Sequence, residues 1–154
     1  MSNIYIYAEQ FNNVVEPSAA EIVTLVREYA LKSGQQITML AFGEDTSAIS
    51  PQLAFDGIGV TVVKTSVSAF QDDALSVVAA DALEKLAPES VIIPASRTAR
   101  ALFSRVAVRL GVGLTADCSE LDVDEHGEFI QRKSAFGANA MCVCVEKGGP
   151  KLVT

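Results

Sequence analysis

The sequence is poor in the residues that most often build metal and redox centres. Tryptophan is absent, histidine occurs once at position 126, and the three cysteines at positions 118, 142 and 144 form no Cys-x-x-Cys motif. Metal sites need clustered thiolates and imidazoles, so we expect no metal site in this sequence. The odd number of cysteines and the lack of a Cys-x-x-Cys motif predict reduced and mostly buried thiols. His126 lies between Glu125 and Gly127, as is typical of an exposed turn, and no Ser-His-Asp set can be assembled around it. The sequence therefore shows no catalytic machinery.

Positive charge and long apolar runs are also scarce. The chain has 12 Lys and Arg against 19 Asp and Glu, a formal net charge of −7. This balance argues against binding to nucleic acid or to an anionic membrane surface. No run of about 18 apolar residues is present, and the first residues, MSNIYIYAEQ, lack the basic region and apolar core of a signal peptide. We expect a cytoplasmic protein whose partners are proteins or small molecules.

Apolar segments of strand length alternate with amphipathic segments of helical length. The 154 residues, 49% of them hydrophobic, fit a single α/β domain over residues 1–154. Helices separating the strands imply crossover connections and a mainly parallel sheet covered on both faces. Strands are predicted at Ile4–Ala8, Gln36–Phe42, Val60–Lys64 and Ser90–Pro94, with a connecting loop and short helix near Pro51–Phe55.

Capping signals set the expected helix starts and ends. Ser18 with Glu21, and Ser68 with Gln71, have the spacing of capping boxes, and Gly34 is placed to end the first helix. The first helix is predicted to turn Ile22, Leu25, Val26, Tyr29 and Ala30 toward the core. A further helix is expected from about Thr98 to Leu110.

The pattern changes after Asp117. Leu121 and Val123 precede an Asp-Glu-His-Gly turn, and Phe129 and Ile130 follow it, which predicts an antiparallel hairpin with Gly127 in the turn. A last strand is expected at Met141–Glu146. The sequence then ends in KGGPKLVT, where the final apolar residues either complete the sheet or mark a chain that has been cut.

The turn after the fourth strand is the best candidate site. Ser96, Arg97, Thr98 and Arg100 stand at the start of a helix, where free N–H groups and the helix dipole favour an anion. These residues suit a phosphate, a carboxylate or an acidic partner. The alternative is structural: Ser96 caps the helix and the arginines pair with surface carboxylates. Asp117 is expected to orient a turn or to pair with Arg97 or Arg100.

Two further features carry open alternatives. Phe136 and Asn139 belong to an irregular loop, Phe-Gly-Ala-Asn, for which a structural turn is the default and a partner contact the alternative. Arg105 and Arg109 are four residues apart on the predicted helix, where they form either a docking surface or its solvated side.

Three segments carry a resemblance to a known family. YIYAEQ at the start, PASRTARALFSRVAVRLGVGLTADCSELDVD in the middle and RKSAFGANA before the last strand resemble the N-terminal domain of the alpha subunit of electron transfer flavoprotein, from about Ile4 to Thr154. Ala99, Ser104 and Ala138 stand where that family usually has Gly, Pro and Gly.

The resemblance implies a fold and a role. The fold would be a three-layer sandwich of the adenine-nucleotide-hydrolase-like, flavodoxin-like type. FAD would be bound by a second, C-terminal domain outside this chain, so no residue here is expected to contact it. The domain would be a scaffold, not an enzyme, that pairs with the beta subunit in an assembly passing electrons from dehydrogenases to an acceptor. The alternative is a stand-alone adenine-nucleotide-binding module in which the Ser96–Arg100 turn holds the phosphate of AMP or ATP.

Overall fold

A parallel β-sheet forms the centre of the protein. The computed structural model describes residues 3–126, 129–135, 137, 140–146 and 148–154. In chain order the elements are β1 (Asn3–Tyr7), β2 (Gln10–Phe11), β3 (Val14–Val15), α1 (Ser18–Ser33), β4 (Gln36–Gly43), α2 (Thr46–Ile49) with a 3₁₀ turn (Ser50–Leu53), β5 (Gly59–Lys64), α3 (Asp72–Leu86), β6 (Ser90–Ile92), α4 (Arg97–Leu110), β7 (Leu114–Thr115), β8 (Glu120–Val123), β9 (Phe129–Ala135), β10 (Ala140–Cys144) and β11 (Lys151–Val153). Within these residues the main sheet has six strands in the order β5-β4-β1-β6-β11-β7, all parallel.

The strand β1 is buried on both faces, as its unbroken apolar sequence predicts. Tyr5 and Tyr7 pack into the layer formed with α3 and α4, and Ile4 and Ile6 pack into the layer formed with α1. Successive side chains of a strand point to opposite faces, so four consecutive apolar residues need cover on both sides. The predicted parallel sheet with two covered faces is confirmed.

The helix α1 ends as predicted but begins differently. Gly34 follows it with a φ of 68°, a left-handed conformation that glycine adopts without strain. The capping box of Ser18 and Glu21 is wrong, because Pro17 occupies the N-cap position and no side chain caps the helix. The predicted inward position of Leu25 is also wrong, since that side chain is 75% exposed and Val23 is buried instead.

Caps were also predicted at the starts of the other two long helices, α3 and α4. Gln71, not Ser68, is the N-cap residue of α3, and its Oε1 accepts a hydrogen bond from the Ser68 N–H at 3.2 Å. The predicted bond between Ser68 and Gln71 is therefore present, but Ser68 is not the N-cap residue of the helix. At α4 the Ser96 hydroxyl accepts the Ala99 N–H at 3.0 Å, so the predicted cap is present there.

The segment after β7 builds a small antiparallel sheet. Val123 is opposite Phe129 in the predicted β8–β9 hairpin, whose Gly127 lies outside the described residues. In the described part of the chain β10 adds a third strand, so the antiparallel unit is larger than a hairpin. Phe129 is buried against Tyr29 of α1, with ring centroids 5.1 Å apart. This sheet and α1 therefore cover the same face of the main sheet.

The last strand lies inside the main sheet. β11 is inserted between β6 and β7, with Leu152 opposite Val91 on one side and Leu114 on the other. The final apolar residues therefore form a strand of the main sheet. The three cysteines are free thiols but half-buried, which is less burial than the sequence predicted. Among the described residues, none of the helices has the length and apolar character needed to cross a membrane.

Candidate functional site

The strand order places a crevice at the carboxyl end of β1. From β1 the chain first adds β4 and β5 on one side and then crosses to add β6 on the other. In open α/β sheets, ligands bind at such a switch point, outside the carboxyl ends of the two central strands. Glu9 follows β1 and Ser96 follows β6, so these two residues face each other there.

Ser96 makes two hydrogen bonds with one hydroxyl. Its Oγ accepts the N–H of Ala99 at 3.0 Å, which satisfies one of the free donors of the first turn of α4. The same hydroxyl donates to Oε1 of Glu9 at 3.0 Å. The N-cap residue thus links the start of α4 to a carboxylate at the end of β1, 87 residues away in sequence.

Glu9 is a buried acid that the sequence analysis missed. Its side chain is only 3% exposed. Burial raises the pKa of Glu9 and the charge of Glu16 raises it further, whereas the Ser96 hydroxyl and the Ala99 N–H lower it. The available signal was its position, a carboxylate directly after the buried strand IYIYA. A charged residue there must find a partner at the edge of the sheet.

The two arginines of the turn differ in their surroundings. Arg100 Nη2 forms an ion pair with Oδ1 of Asp117, one of the two pairings that the sequence left open. Asp117 holds a φ of 59°, so the turn after β7 aims its carboxylate with a backbone conformation that is uncommon outside glycine. Arg97 is exposed and makes no ion pair with any residue that the structure describes, and Thr98 is half-buried.

Arg105 and Arg109 hold α4 against α3. Arg105 contacts Asp73 through Nε at 2.6 Å and Asp72 through Nη1 at 3.1 Å. Arg109 Nε donates to the Ser76 hydroxyl at 2.8 Å. Both guanidinium groups are therefore occupied between helices. The structure favours an internal role for these arginines over the docking surface that the sequence also allowed.

The remaining candidates do not join the site. Phe136 and Asn139 lie outside the described residues. His126 is exposed beside Glu125, as expected for a turn. In the described ranges, no three His, Cys, Asp or Glu side chains converge to hold a metal ion.

An apolar groove lies on the α1 side of the same edge. Its volume is about 390 Å³, and Val26 and Tyr29 of α1 form one wall, Ile92 and Val153 the floor, and Leu121 of β8 the other wall. Pro94 and Ala95, which lead into the Ser96–Arg100 turn, also line it, whereas α4 packs on the opposite face of the main sheet.

The comparisons with known proteins decide the family. The profile of the electron transfer flavoprotein domain matches residues 4–154. The chain belongs to this family. Electron transfer flavoprotein subunit alpha of Thermoanaerobacterium thermosaccharolyticum is 32% identical over 149 residues, which cover 94% of this chain and 45% of that protein. The protein of that name from Clostridium acetobutylicum is 30% identical over 145 residues, covering 92% of this chain and 43% of its own length.

A third relative of this electron transfer flavoprotein domain has a different name. Subunit LctC of lactate dehydrogenase (NAD(+),ferredoxin) from Acetobacterium woodii is 29% identical over 154 residues, which cover 98% of this chain and 37% of that subunit. The chain spans less than half the length of these relatives. The resemblance to electron transfer flavoprotein alpha subunits is confirmed.

Proposed function

We propose that this chain is the N-terminal scaffold domain of an electron transfer flavoprotein alpha subunit. With a beta subunit it would form a cytoplasmic carrier, not an enzyme, that passes electrons through FAD from dehydrogenases to an acceptor. The observation that carries the proposal is the family match over residues 4–154. The names of the relatives support an electron-transfer role, since they include electron transfer flavoprotein alpha subunits and an electron transfer subunit of acryloyl-CoA reductase.

The crevice of this chain does not fit the diphosphate of FAD. An anion at the start of α4 would have to take the position of the Glu9 carboxylate, which already accepts the Ser96 hydroxyl at 3.0 Å. A buried carboxylate beside a phosphate is repulsive, because like charges in a region of low dielectric interact strongly. We therefore place the flavin in a further domain of the full subunit and assign no FAD contact to residues of this chain.

The strand β10 offers a surface for the beta subunit. Met141, Val143 and Val145 alternate along the chain and are 54%, 55% and 47% exposed. Cys142 and Cys144 point to the opposite face and are half-buried. An edge strand with a row of exposed apolar side chains is a site where another protein adds to or packs on a sheet. A second subunit would remove these side chains from water.

A charge introduced on β10 tests this surface. Val143→Asp should abolish co-purification with the beta subunit, because the carboxylate would be buried without a partner at the interface. Val77→Asp on α3 is the matched control, since Val77 is 51% exposed and lies on the other side of the main sheet. Retention of the complex by Val143→Asp, or equal loss in both variants, would exclude β10 as the docking surface.

The alternative function is a stand-alone module that binds an adenine nucleotide. Arg97 favours it, because it is exposed next to Ser96 without an ion pair to any described residue, and a guanidinium at a helix start suits a phosphate. Calorimetry with AMP and ATP tests it directly. If a nucleotide binds at this turn, Arg97→Ala should cost about 1–3 kcal/mol of binding free energy. The absence of saturable binding to the wild-type chain would remove the alternative.

A further inference from the structure

Glu9 stands where an anion would sit at the start of α4. Its carboxylate is 3% exposed and accepts the Ser96 hydroxyl at 3.0 Å. The same hydroxyl accepts the N–H of Ala99, in the first turn of the helix. The hydroxyl, the free N–H groups and the dipole of a helix start are the groups that hold phosphates in many α/β proteins. Here the negative charge that they face belongs to the chain itself.

The main chain around Glu9 is tied to two neighbouring elements. The Glu9 carbonyl accepts the N–H of Glu16 at 2.9 Å, across the hairpin formed by β2 and β3. The next residue, Gln10, donates its side-chain Nε2 to the carbonyl of Phe42 at the end of β4, at 2.7 Å. The segment after β1 is thus tied both to the hairpin and to the neighbouring strand. These contacts hold the backbone of Glu9, and the Ser96 hydroxyl holds its carboxyl in the crevice at 3.0 Å.

The positive groups near the turn are only partly used. Arg100 is paired with Asp117, whereas Arg97 has no acidic partner among the residues that the structure describes. The turn therefore retains a cation, a hydroxyl and free N–H groups, which together suit a small anion once the resident carboxylate is gone.

We propose that Glu9 is the built-in anionic ligand of this crevice. Its carboxylate excludes phosphate groups from the start of α4, and its removal converts the crevice into a site for phosphate or a small carboxylate. The residue thus determines what the crevice does not bind. The proposal stands on the contacts of this chain alone, so it holds whether or not the chain pairs with a beta subunit.

Chemical rescue of Glu9→Ala tests the proposal. The variant should melt below the wild-type protein and recover when inorganic phosphate or formate replaces chloride at constant ionic strength, because ligands that bind only the folded state stabilise it. Phosphate should bind the variant roughly tenfold or more tightly than it binds the wild type, measured by calorimetry. Glu44→Ala, which removes an exposed carboxylate just after β4 at the same edge, is the control and should show no rescue.

Three results would overturn the proposal. The first is an anion response of Glu9→Ala no larger than that of the wild type or of Glu44→Ala. The second is anion binding by Glu9→Gln equal to that of Glu9→Ala, since an amide of the same shape should still fill the position. The third applies even if Glu9→Ala does not fold. It is a saturable heat when the wild-type chain is titrated with phosphate or AMP, lost in Ser96→Ala, because the proposal predicts no such heat.

Discussion

Ser96 links the two elements that border the crevice, the start of α4 and the end of β1. Its hydroxyl caps α4 and donates to Glu9, so one side chain satisfies a helix donor and a buried acceptor together. A cap that serves only its own helix would be replaceable by any small polar residue. A cap that also holds a buried carboxylate has a larger effect on stability, because losing it leaves a desolvated group without a donor.

Ser96→Ala should therefore lower the free energy of unfolding by about 1–3 kcal/mol, combining the loss of a cap with an unsatisfied buried acceptor. Urea denaturation measures this change. Ser104→Ala in the same helix is the matched control, since Ser104 is exposed and donates only to the Arg100 carbonyl at 2.7 Å. Its effect should stay within about 0.5 kcal/mol. Equal midpoints for the two variants would contradict the role given to Ser96.

Glu9 should also make stability depend on pH in the acid range. Burial raises the pKa of Glu9, so the folded state holds its proton more tightly than the unfolded chain does. The stabilisation linked to this proton is fully present below the ordinary pKa of a glutamate and is lost as the pH rises through the raised value, whereas either form of the carboxyl accepts the Ser96 hydroxyl. Tyr7, Glu16 and Ser96 surround this carboxyl, and all three remain when Glu9 is replaced by Gln.

Glu9→Gln removes this titration, so its stability should decline less than that of the wild type as the pH rises from about 4 to 7. Urea midpoints at several pH values measure the difference. The pKa of Glu146 is also raised by burial, but this group is present in both proteins and cancels in the comparison. Parallel curves for the two proteins would show that Glu9 does not titrate differently in the folded state.

At the scale of elements, local sequence patterns predicted where strands and helices lie, whereas the order of the strands in the sheet depends on long-range pairing. The unbroken apolar run of β1 and the amphipathic pattern of α4 were sufficient to predict both. The capping box at Ser18 was wrong, because Pro17 is the N-cap residue there. At Ser68 the bond to Gln71 formed, but the N-cap of α3 is Gln71 and not Ser68. The insertion of β11 between β6 and β7 depends on strand order, which a three-residue apolar segment does not encode locally.

In the candidate site as well, the part formed by neighbouring residues was predicted and the part formed by distant residues was missed. The Ser96–Arg100 turn was predicted because strand, polar turn and helix are adjacent in sequence. Glu9 was missed because its partner is 87 residues distant. The hairpin of β2 and β3 was missed as well, although Asn12 and Asn13, with φ values of 51° and 65°, are the residue type that two-residue hairpin turns prefer.

The end of β4 depends on a glycine. A side-chain carbon at Gly43 would collide with Cδ1 of Ile49, which is fully buried in α2, and would approach Nε2 of Gln10 at 3.1 Å. Gly43→Ala should therefore lower the free energy of unfolding by about 1–3 kcal/mol, as overpacking of a filled core does. Thermal unfolding measures the loss. In a double-mutant cycle with Ile49→Ala, the loss in the double variant should be smaller than the sum of the two single losses, because removing the Ile49 side chain also removes the clash. An unchanged melting temperature for Gly43→Ala would contradict this close packing.

At the scale of the whole molecule, the fold and the family agree. The electron transfer flavoprotein domain, which matches residues 4–154, consists of a parallel sheet covered on both faces and an added antiparallel sheet. The site at its switch point is filled by Glu9, and the apolar row on β10 faces solvent. These features fit a domain that supports an assembly better than one that binds a nucleotide by itself.

The mass of the chain mixed with its cognate beta subunit tests this account most directly. Size-exclusion chromatography with light scattering should show a single species whose mass equals 16.3 kDa plus that of one beta subunit. A mixture of the Val143→Asp variant with the beta subunit should elute as two separate proteins under the same conditions. The Val77→Asp variant should form the complex as the wild type does. A wild-type chain that remains at 16.3 kDa beside an equimolar beta subunit would contradict the proposed scaffold role.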